Sequence, residues 1–479
     1  MVLRHNKILE QLAFLIHYLP VRLLIKIVAG LFAFTVALII PWGLDQSQTR
    51  LLGIIALCLV FFIVEPVTLP VTMLLASALC VLLGVANVGE VLSPYADPII
   101  FLFLGAFALG VAIQKSGLDV RIAYAVMKGN RNQRVMLALP LIVCAFLSMW
   151  MSNTASAAIV IPLGLTLFKS ANAKLRKALV LGIAYSASLG GIATPIGTPP
   201  NLVGQAYLVK MGYPKMTFGE WMLVFLPLSL VLCLALCFVA YLWAGRQHEK
   251  LPHVSTDQTL GTLSTQEKSV ILVFALMLLG WLLPGLVAPA NDATSLAERL
   301  PESVVSILGM VLLFVMPASI SPYKPVMSWK DATDIDFGTL ILFGGGLSLG
   351  SLVMKTGLGQ EAGRALIDAT GITGQSGLVF VSIVSAGILT TLMSNTAAAN
   401  IVVPVVFSVA VDMALDPTPS VVAASIAASM AFMLPVSTPP NAIAYATGLL
   451  SVTDMLKWGF LLQVFSTIVI WAWIMILMC

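Results

Sequence analysis

Two stretches of the chain spell nearly the same twelve residues and carry polar side chains that could bind ions. Met151–Pro162 reads MSNTASAAIVIP, and Met393–Pro404 reads MSNTAAANIVVP. Neither stretch contains a charge, a histidine or a cysteine, and each places a Ser-Asn-Thr triplet inside a long apolar segment. Hydroxyl, carboxamide and backbone carbonyl oxygens suit a dehydrated monovalent cation, because hard cations take oxygen ligands. The same side chains can donate hydrogen bonds to a carboxylate.

Each triplet is accompanied by a further hydroxyl and by a helix-start signal. A hydroxyl lies one turn before each triplet, at Ser148 and at Thr390. A Thr-Pro-Pro-Asn segment follows each triplet, beginning at Thr198 and at Thr438. Threonine as N-cap with proline at the first helical position predicts that a helix restarts there after a break. The predicted breaks are Ala193–Gly197 and Leu434–Ser437.

The composition places these motifs in a membrane. Of 479 residues, 59% are hydrophobic and 10% are charged, whereas soluble domains have about 25% charged residues. Apolar runs of about 20 residues recur along the whole length and predict an all-α polytopic membrane protein. The cysteines and histidines form no cluster with metal-ligand spacing, and no nucleophile–base pair lies among the apolar segments. An enzyme or a nucleic-acid-binding protein is therefore not expected; the partners are the lipid bilayer and a small solute.

Apolar runs between polar residues predict about eleven membrane crossings. They lie near 21–41, 49–65, 69–86, 97–115, 178–208, 221–244, 269–288, 302–317, 338–356, 420–449 and 458–477. Val135–Phe168 is different, because its 34 uncharged residues are too many for one crossing and few for two. Re-entrant hairpins over about 135–168 and 376–411, with the triplets at their tips, account for both uncharged segments.

The two halves of the chain are similar in sequence. FLFLGAFALGVAIQKSGL at Phe101–Leu118 matches ILFGGGLSLGSLVMKTGL at Ile341–Leu358, and the triplets and Thr-Pro-Pro-Asn segments follow at nearly the same offset, 240 to 242 residues. The predicted organisation is an N-terminal surface helix and first span (1–48), repeat 1 (49–244) and a cytoplasmic linker (245–268), followed by repeat 2 (269–479). An odd number of crossings separates equivalent positions, so the repeats are predicted to be inverted.

The distribution of positive charge supports this topology. With the N-terminus in the cytoplasm, most Lys and Arg residues fall on the cytoplasmic side, as the positive-inside rule expects. The exceptions are Arg50, Lys210, Lys215, Arg299, Lys355 and Arg364. The first hairpin then opens inward, the second opens outward, and the C-terminus lies outside the cell.

Inverted repeats with interrupted helices predict a transport site near the middle of the bilayer. Neither hairpin and neither break contains Lys or Arg. The charge of a bound anion must therefore be balanced by helix N-termini and by bound cations. Ser, Thr and Asn side chains can instead form hydrogen bonds between packed membrane helices. For one triplet alone, this structural interpretation is as well supported as a binding site. The duplication of triplet and break together favours a binding site.

The chain resembles the divalent anion–sodium symporter family, the sodium-coupled dicarboxylate, citrate and sulfate carriers. The resemblance rests on EPVTLPVT (Glu65–Thr72), PIIFLFLGAFAL (Pro98–Leu109), both Ser-Asn-Thr triplets and both Thr-Pro-Pro-Asn segments. It implies a homodimer in the plasma (inner) membrane and an elevator-type transporter. In such a transporter, a mobile domain carries substrate and co-transported sodium ions past a fixed scaffold.

The resemblance also implies roles for individual residues. One sodium site would use Ser148, Ser152, Asn153 and Gly197, and the other would use Thr390, Ser394, Asn395 and Ser437. The substrate would lie between two sets of residues: Ser152, Asn153, Thr154, Thr198 and Pro199, and Ser394, Asn395, Thr396, Thr438 and Pro439. Ser437 stands where some relatives have a smaller residue.

The expected activity is sodium-coupled symport of C4 dicarboxylates such as succinate, malate and fumarate. Three alternatives from the same family remain open: a dicarboxylate exchanger, a citrate carrier and a sulfate carrier. Glu65 and Glu302 lie near span ends beside prolines. Either could be a coupling carboxylate, although a structural or interfacial role is favoured.

Overall fold

The computed structural model describes residues 20–127, 133–169, 171–244, 261–287 and 300–479. These residues are mostly helical, as the sequence predicts. Among them, nine helices are long and apolar enough to cross a membrane, and this confirms a multi-pass membrane protein. Most of the predicted N-terminal surface helix and the linker 245–260 lie outside the described residues.

The helices of the first half correspond in position to the predicted apolar segments. They are α1 (Val21–Ile39), α2 (Gln46–Val64), α3 (Leu69–Leu82), α4 (Val88–Leu92), α5 (Pro98–Ser116), α6 (Leu118–Met127), α7 (Gln133–Ser148), α8 (Asn153–Leu167), α9 (Ala173–Gly191), α10 (Pro199–Lys210) and α11 (Phe218–Ala244). A 3₁₀ turn, Ser93–Ala96, joins α4 to α5.

The second half adds a small sheet to the helices. Its elements are α12 (Thr265–Val287), α13 (Glu302–Val315), β1 (Pro317–Ile320), β2 (Tyr323–Pro325), α14 (Phe337–Lys355), α15 (Leu358–Thr370), α16 (Gly374–Leu392), α17 (Asn395–Asp412), α18 (Pro417–Ala427), α19 (Pro439–Ala446) and α20 (Val452–Leu477). The strands β1 and β2 pair in antiparallel fashion, and the 3₁₀ turn Asp331–Asp334 leads towards α14.

The two uncharged segments each fold into a pair of helices in mutual contact. Helices α7 and α8 are joined by Met149–Ser152, and α16 and α17 are joined by Met393–Ser394. The Ser-Asn-Thr triplets therefore lie where each pair turns. Both α16 and α17 are long enough for a full crossing by composition and length alone. Length by itself does not distinguish a re-entrant arm from a span.

Each of the two predicted interrupted helices is broken before its Thr-Pro-Pro-Asn segment. The first break, between α9 and α10, runs from Ile192 to Thr198, close to the predicted Ala193–Gly197. The second break begins at Ala428, so the prediction of Leu434–Ser437 is too short. The physical reason is that side chains replace the helical bonds of this segment: Thr390 Oγ1 lies 2.5 Å from Ala428 O, and Asn441 Nδ2 donates to Ala431 O at 2.9 Å.

Close helix packing places the first hairpin on the first interrupted helix. A Cβ atom on Gly190 of α9 would lie 2.1 Å from Ala145 O of α7, so only glycine permits this approach. In the second half, α16 packs on α18 in the corresponding place. Both triplets are thereby brought beside the break of their own repeat.

One short helix in each repeat was not predicted from the sequence. Helices α6 and α15 follow Gly117 and Gly357, which have left-handed φ values of 72° and 77°. Gly357 is 240 residues after Gly117, so this turn is duplicated as well.

Candidate functional site

Both hairpin tips and both helix restarts line one cavity of about 480 Å³. Of the residues predicted for the site, those that line it are Ser152, Asn153, Thr154, Gly197, Thr198, Pro199, Ser394, Asn395, Thr396, Ser437, Thr438 and Pro439. Ser148 and Thr390 do not line it. They lie behind the tips, hydrogen-bonded to Asn153 and Asn395.

Four helices begin at this cavity. Ser152 is the N-cap of α8 and accepts from Ala155 N at 3.2 Å; Ser394 caps α17 and accepts from Ala397 N at the same distance. Helices α10 and α19 begin with proline after their threonine N-caps. A helix N-terminus carries the positive end of the helix dipole, which favours an anion. Helices α8 and α17 also begin with residues that have a backbone N–H, whereas the first two residues of α10 and of α19 are prolines, which have none.

The cavity lining itself has no basic side chain among the residues that the structure describes. Lys, Arg and His do not occur among the lining residues. Three carboxylates, Glu65, Asp334 and Asp336, lie in the lining together with Gln114. An anion bound between the tips would therefore depend on helix N-termini and on bound cations for its charge balance.

The first break and the first hairpin tip form a tight cluster of oxygen atoms. Ser148 Oγ donates to Asn153 Oδ1. A Cβ atom on Gly197 would lie 2.5 Å from Gly191 O and 3.0 Å from Ser148 O. A Cβ atom on Gly191 would lie 3.0 Å from Asn153 Oδ1 and 3.1 Å from Gly197 O. These neutral oxygens approach Gly191 and Gly197 so closely that a methyl group on either residue would be crowded. Oxygen atoms of this kind are the ligands that a hard cation such as sodium takes.

The second break and tip repeat this arrangement with larger residues. Thr390 Oγ1 lies 2.8 Å from Asn395 Oδ1, as its counterpart Ser148 contacts Asn153. Ser437, at the position equivalent to Gly197, donates from its hydroxyl to Thr391 O at 2.7 Å. The hydroxyl of Ser437 therefore ties the second break to the hairpin arm. Gly197 has no side chain to make such a bond.

One hydrogen bond joins the two repeats directly at the site. Thr198 Oγ1 and Ser429 Oγ lie 3.1 Å apart, and both residues are buried. Thr198 makes no capping bond within its own helix, whereas Thr438 accepts from Asn441 N at 3.4 Å. The first restart is thus held by the second half of the chain.

Sequence reasoning missed four residues of this region: Gly191, Asn201, Ser429 and Asn441. Asn201 and Asn441 end the two Thr-Pro-Pro-Asn segments, and their duplication was the available signal. Gly191 ends α9 and Ser429 lies just after the end of α18, and in both places the sequence has several small residues without a distinguishing pattern. Their positions relative to the site follow only from the folded geometry.

The two glutamates near span ends have different surroundings. Glu65 is exposed, adopts a left-handed backbone conformation (φ 44°) at the end of α2, and lines the cavity. Glu302 does not line it. Its carboxylate pairs with Lys215 and accepts from Phe218 N at 2.8 Å, which fastens the start of α13 to the start of α11. A structural role accounts for Glu302.

Comparison with known proteins gives a consistent result over nearly the whole chain. Residues 21–479 match the family model described as the sodium:sulfate symporter transmembrane region. The chain is 33% identical over 463 residues to the sodium-dependent dicarboxylate transporter SdcS of Staphylococcus saprophyticus, covering 92% of this chain and 88% of the relative. It is 32% identical over 474 residues to SdcS of Staphylococcus aureus USA300, covering 93% and 89%.

A solved structure has a similar fold at low sequence identity. The YdaH transporter of Alcanivorax borkumensis, described as having an unusual topology, superimposes with a TM-score of 0.60 and 14% identity. The match covers 81% of this chain and 87% of that protein.

Proposed function

Since the chain belongs to the sodium:sulfate symporter family, we propose that it is a secondary active transporter that carries C4 dicarboxylates into the cell with sodium. The observation that carries this proposal is the single cavity lined by both Ser-Asn-Thr tips and both helix restarts, without a basic side chain among its described lining residues. Succinate, malate and fumarate have the chemistry that four helix N-termini and hydroxyl and carboxamide donors can recognise. The sodium-dependent dicarboxylate transporters among the relatives support this substrate class.

The proposed roles follow the two oxygen clusters. Ser148, Ser152, Asn153 and Gly197 hold one sodium ion, and Thr390, Ser394, Asn395 and Ser437 hold the other. The carboxylates of the substrate lie between Ser152, Asn153, Thr154, Thr198 and Pro199 and their counterparts Ser394, Asn395, Thr396, Thr438 and Pro439. Since Asn153 and Asn395 belong to both sets, sodium binding orients the groups that contact the anion.

Sodium is in this scheme a condition for anion binding as well as a source of energy. A dianion placed in a site with no basic side chain is destabilised by its lost hydration. Two sodium ions and the helix N-termini offset this loss. Release of sodium on the cytoplasmic side, where its concentration is low, then also releases the substrate.

The proposed topology places the transporter in the plasma (inner) membrane with the N-terminus in the cytoplasm and the C-terminus outside. In this topology, three parts of the cavity lining lie at the cytoplasmic ends of helices. They are Glu65, Gln114 and the 3₁₀ turn that includes Asp334. The cavity therefore opens inward. Outward access comes from an elevator movement of α7–α11 and α16–α20, within a homodimer whose scaffold is formed by the other helices.

The test is uptake of labelled succinate by purified protein in liposomes that contain no internal anion. An inward sodium gradient should drive net accumulation, and replacement of sodium by choline should nearly abolish both uptake and succinate binding. Uptake that requires an internal dicarboxylate would show an exchanger instead. Competition by succinate, fumarate, malate, citrate and sulfate identifies the anion; inhibition by citrate or sulfate alone would contradict the C4 assignment.

A further inference from the structure

The last residue of each Thr-Pro-Pro-Asn segment makes the same pair of hydrogen bonds. Asn201 Nδ2 donates to Gly191 O at 3.0 Å and to Thr194 O at 2.9 Å. Asn441 Nδ2 donates to Ala431 O at 2.9 Å and to Leu434 O at 3.1 Å. In both repeats the acceptors lie ten and seven residues earlier in the chain. The contact is therefore duplicated atom for atom.

These acceptors are backbone carbonyl groups at or within the breaks: Gly191 is the last residue of α9, and Thr194, Ala431 and Leu434 lie between the interrupted helix and its restart. The last carbonyls of an interrupted helix have no N–H group in the following turn to bind. A primary carboxamide supplies two N–H groups from one nitrogen, and here both are used on carbonyls of the same break. One side chain from the restarted helix thus sets the direction of two carbonyl groups across the gap.

The position of each asparagine also has an unfavourable feature, a buried carboxamide oxygen without a partner. Asn201 and Asn441 are 0% and 1% exposed, and the Oδ1 atom of each has no hydrogen-bond partner. A buried acceptor without a donor opposes folding. Stability alone would not select this arrangement at both equivalent positions, so the geometry that the Nδ2 atoms impose has another use.

In each repeat, one of the two carbonyls contacts the break residue assigned to the sodium site. Gly191 O, bound by Asn201, is the atom that a Cβ on Gly197 would approach to 2.5 Å. Leu434 O, bound by Asn441, also accepts from Ser437 N at 3.3 Å. Rotation of either carbonyl would therefore displace the backbone at Gly197 or at Ser437.

We propose that Asn201 and Asn441 are positioning residues that hold the two breaks in the geometry required for sodium binding. They act through the backbone and do not line the cavity themselves. This rests on the proposed sodium-coupled function. Loss of the carboxamide should weaken sodium binding at its own break, while the affinity for the anion at saturating sodium changes little.

The experiment compares Asn201→Ala and Asn441→Ala with Asn172→Ala in proteoliposomes. Asn172 is the control because its side chain accepts from Leu175 N at 2.8 Å in the first turn of α9, and it does not line the cavity. We expect the sodium concentration for half-maximal uptake to rise at least about tenfold in each break variant, because each variant loses the two buried hydrogen bonds that hold its break. The control should stay within about twofold of the wild type.

Asn201→Ser and Asn441→Ser keep one hydroxyl donor and should give intermediate shifts; they carry the test if the alanine variants do not yield monodisperse protein. A half-saturating sodium concentration unchanged in the folded variants, or a rise confined to the succinate KM at saturating sodium, would overturn the inference. Sodium-independent uptake by the wild type would instead refute the proposed function, so the two failures are distinguishable.

Discussion

At the scale of single residues, the site is built from neutral oxygens that are fixed by one another. Asn153 Oδ1 accepts from Ser148, and Asn395 Oδ1 lies 2.8 Å from Thr390 Oγ1, so each carboxamide is oriented from behind before any ligand arrives. Preorganised oxygens lose little freedom when they bind an ion, which favours affinity. The polar residues in the apolar runs are thereby satisfied within the protein, and this explains how they are tolerated there.

Replacement of either tip asparagine should remove sodium-driven uptake. In Asn153→Ala and Asn395→Ala, one oxygen ligand and its orienting bond are lost, and we expect at least about a tenfold rise in half-saturating sodium, with uptake near background at lower sodium. Uptake in proteoliposomes over a sodium series is the measurement. Asn172→Ala is the control, because Asn172 caps α9 at Leu175 N and does not line the cavity. Wild-type sodium dependence in both tip variants would refute the assigned site.

Gly197→Ala tests the tightness of the first cluster. The added methyl group would lie 2.5 Å from Gly191 O and 3.0 Å from Ser148 O, and both are backbone atoms that cannot rotate away. We expect sodium-stimulated binding of succinate to be lost, while Gly261→Ala, whose Cβ would have no atom within 4 Å, leaves it unchanged. Calorimetric titrations of sodium, and of succinate in the presence of sodium, into the two purified variants measure these affinities. Normal sodium binding by Gly197→Ala would show that the first cluster is not a cation site.

At the scale of elements, the prediction succeeded where composition alone determines structure and failed where side chains replace backbone bonds. The apolar runs and the two Thr-Pro-Pro-Asn helix starts lie where the sequence places them, because length, hydropathy and proline act locally. The early end of α18 at Ala427 depends on Thr390 and Asn441, which come from other elements. Such a contact has no signal in the local sequence.

The candidate site shows the same contrast. The duplicated motifs predicted residues that line one cavity, but the contacts of these residues with Gly191 and Ser429 could not be predicted. The bond between Thr198 and Ser429 joins positions 231 residues apart. Only the fold brings them together.

An ion pair holds the segment before α14 to the end of α5. Asp331 Oδ2 accepts from Lys115 Nζ at 2.5 Å and from Ser328 Oγ at 2.6 Å. The Lys115 ammonium, followed by the Ser328 hydroxyl, lowers the pKa of Asp331 to about 2. Because the pKa is lowered by folding, the ionised carboxylate stabilises the protein fully above about pH 4, and this contribution is lost as the pH falls towards 2.

Asp331→Asn should therefore lower the thermal stability at pH 7 and have little effect near pH 2. Both side chains are partly exposed, so we expect at most about 1 kcal/mol and a decrease in Tm of about 1–2 °C. Thermal unfolding of detergent-purified protein across this pH range is the measurement. Asp334→Asn, an exposed neighbour in the same turn, should cause no such pH-dependent difference. An equal loss for Asp331→Asn at every pH would exclude the ion pair as its cause.

At the scale of the whole molecule, the two halves of the chain contribute equivalent parts to one cavity. Each contributes a hairpin tip, an N-cap serine and a restarted helix, and the equivalent positions are 240 to 242 residues apart. They are not identical, because the first cluster has Gly191 and Gly197 where the second has Ala431 and Ser437. We therefore expect the first cluster to tolerate less change in ion size than the second.

The orientation of the chain can be tested with two single cysteines in a background in which the native cysteines are replaced. Thr68 is exposed at the cavity mouth, and its side chain makes no capping bond to α3. Val88 is 56% exposed at the start of α4, on the opposite side in the proposed topology. If the N-terminus lies in the cytoplasm, as the positive-inside rule predicts, a membrane-impermeant thiol reagent should label Thr68→Cys only in inside-out vesicles. The same reagent should label Val88→Cys only in right-side-out vesicles. The reverse pattern would invert the topology and make the cavity outward-open, and labelling of both cysteines from one side would contradict the crossing assigned to α3.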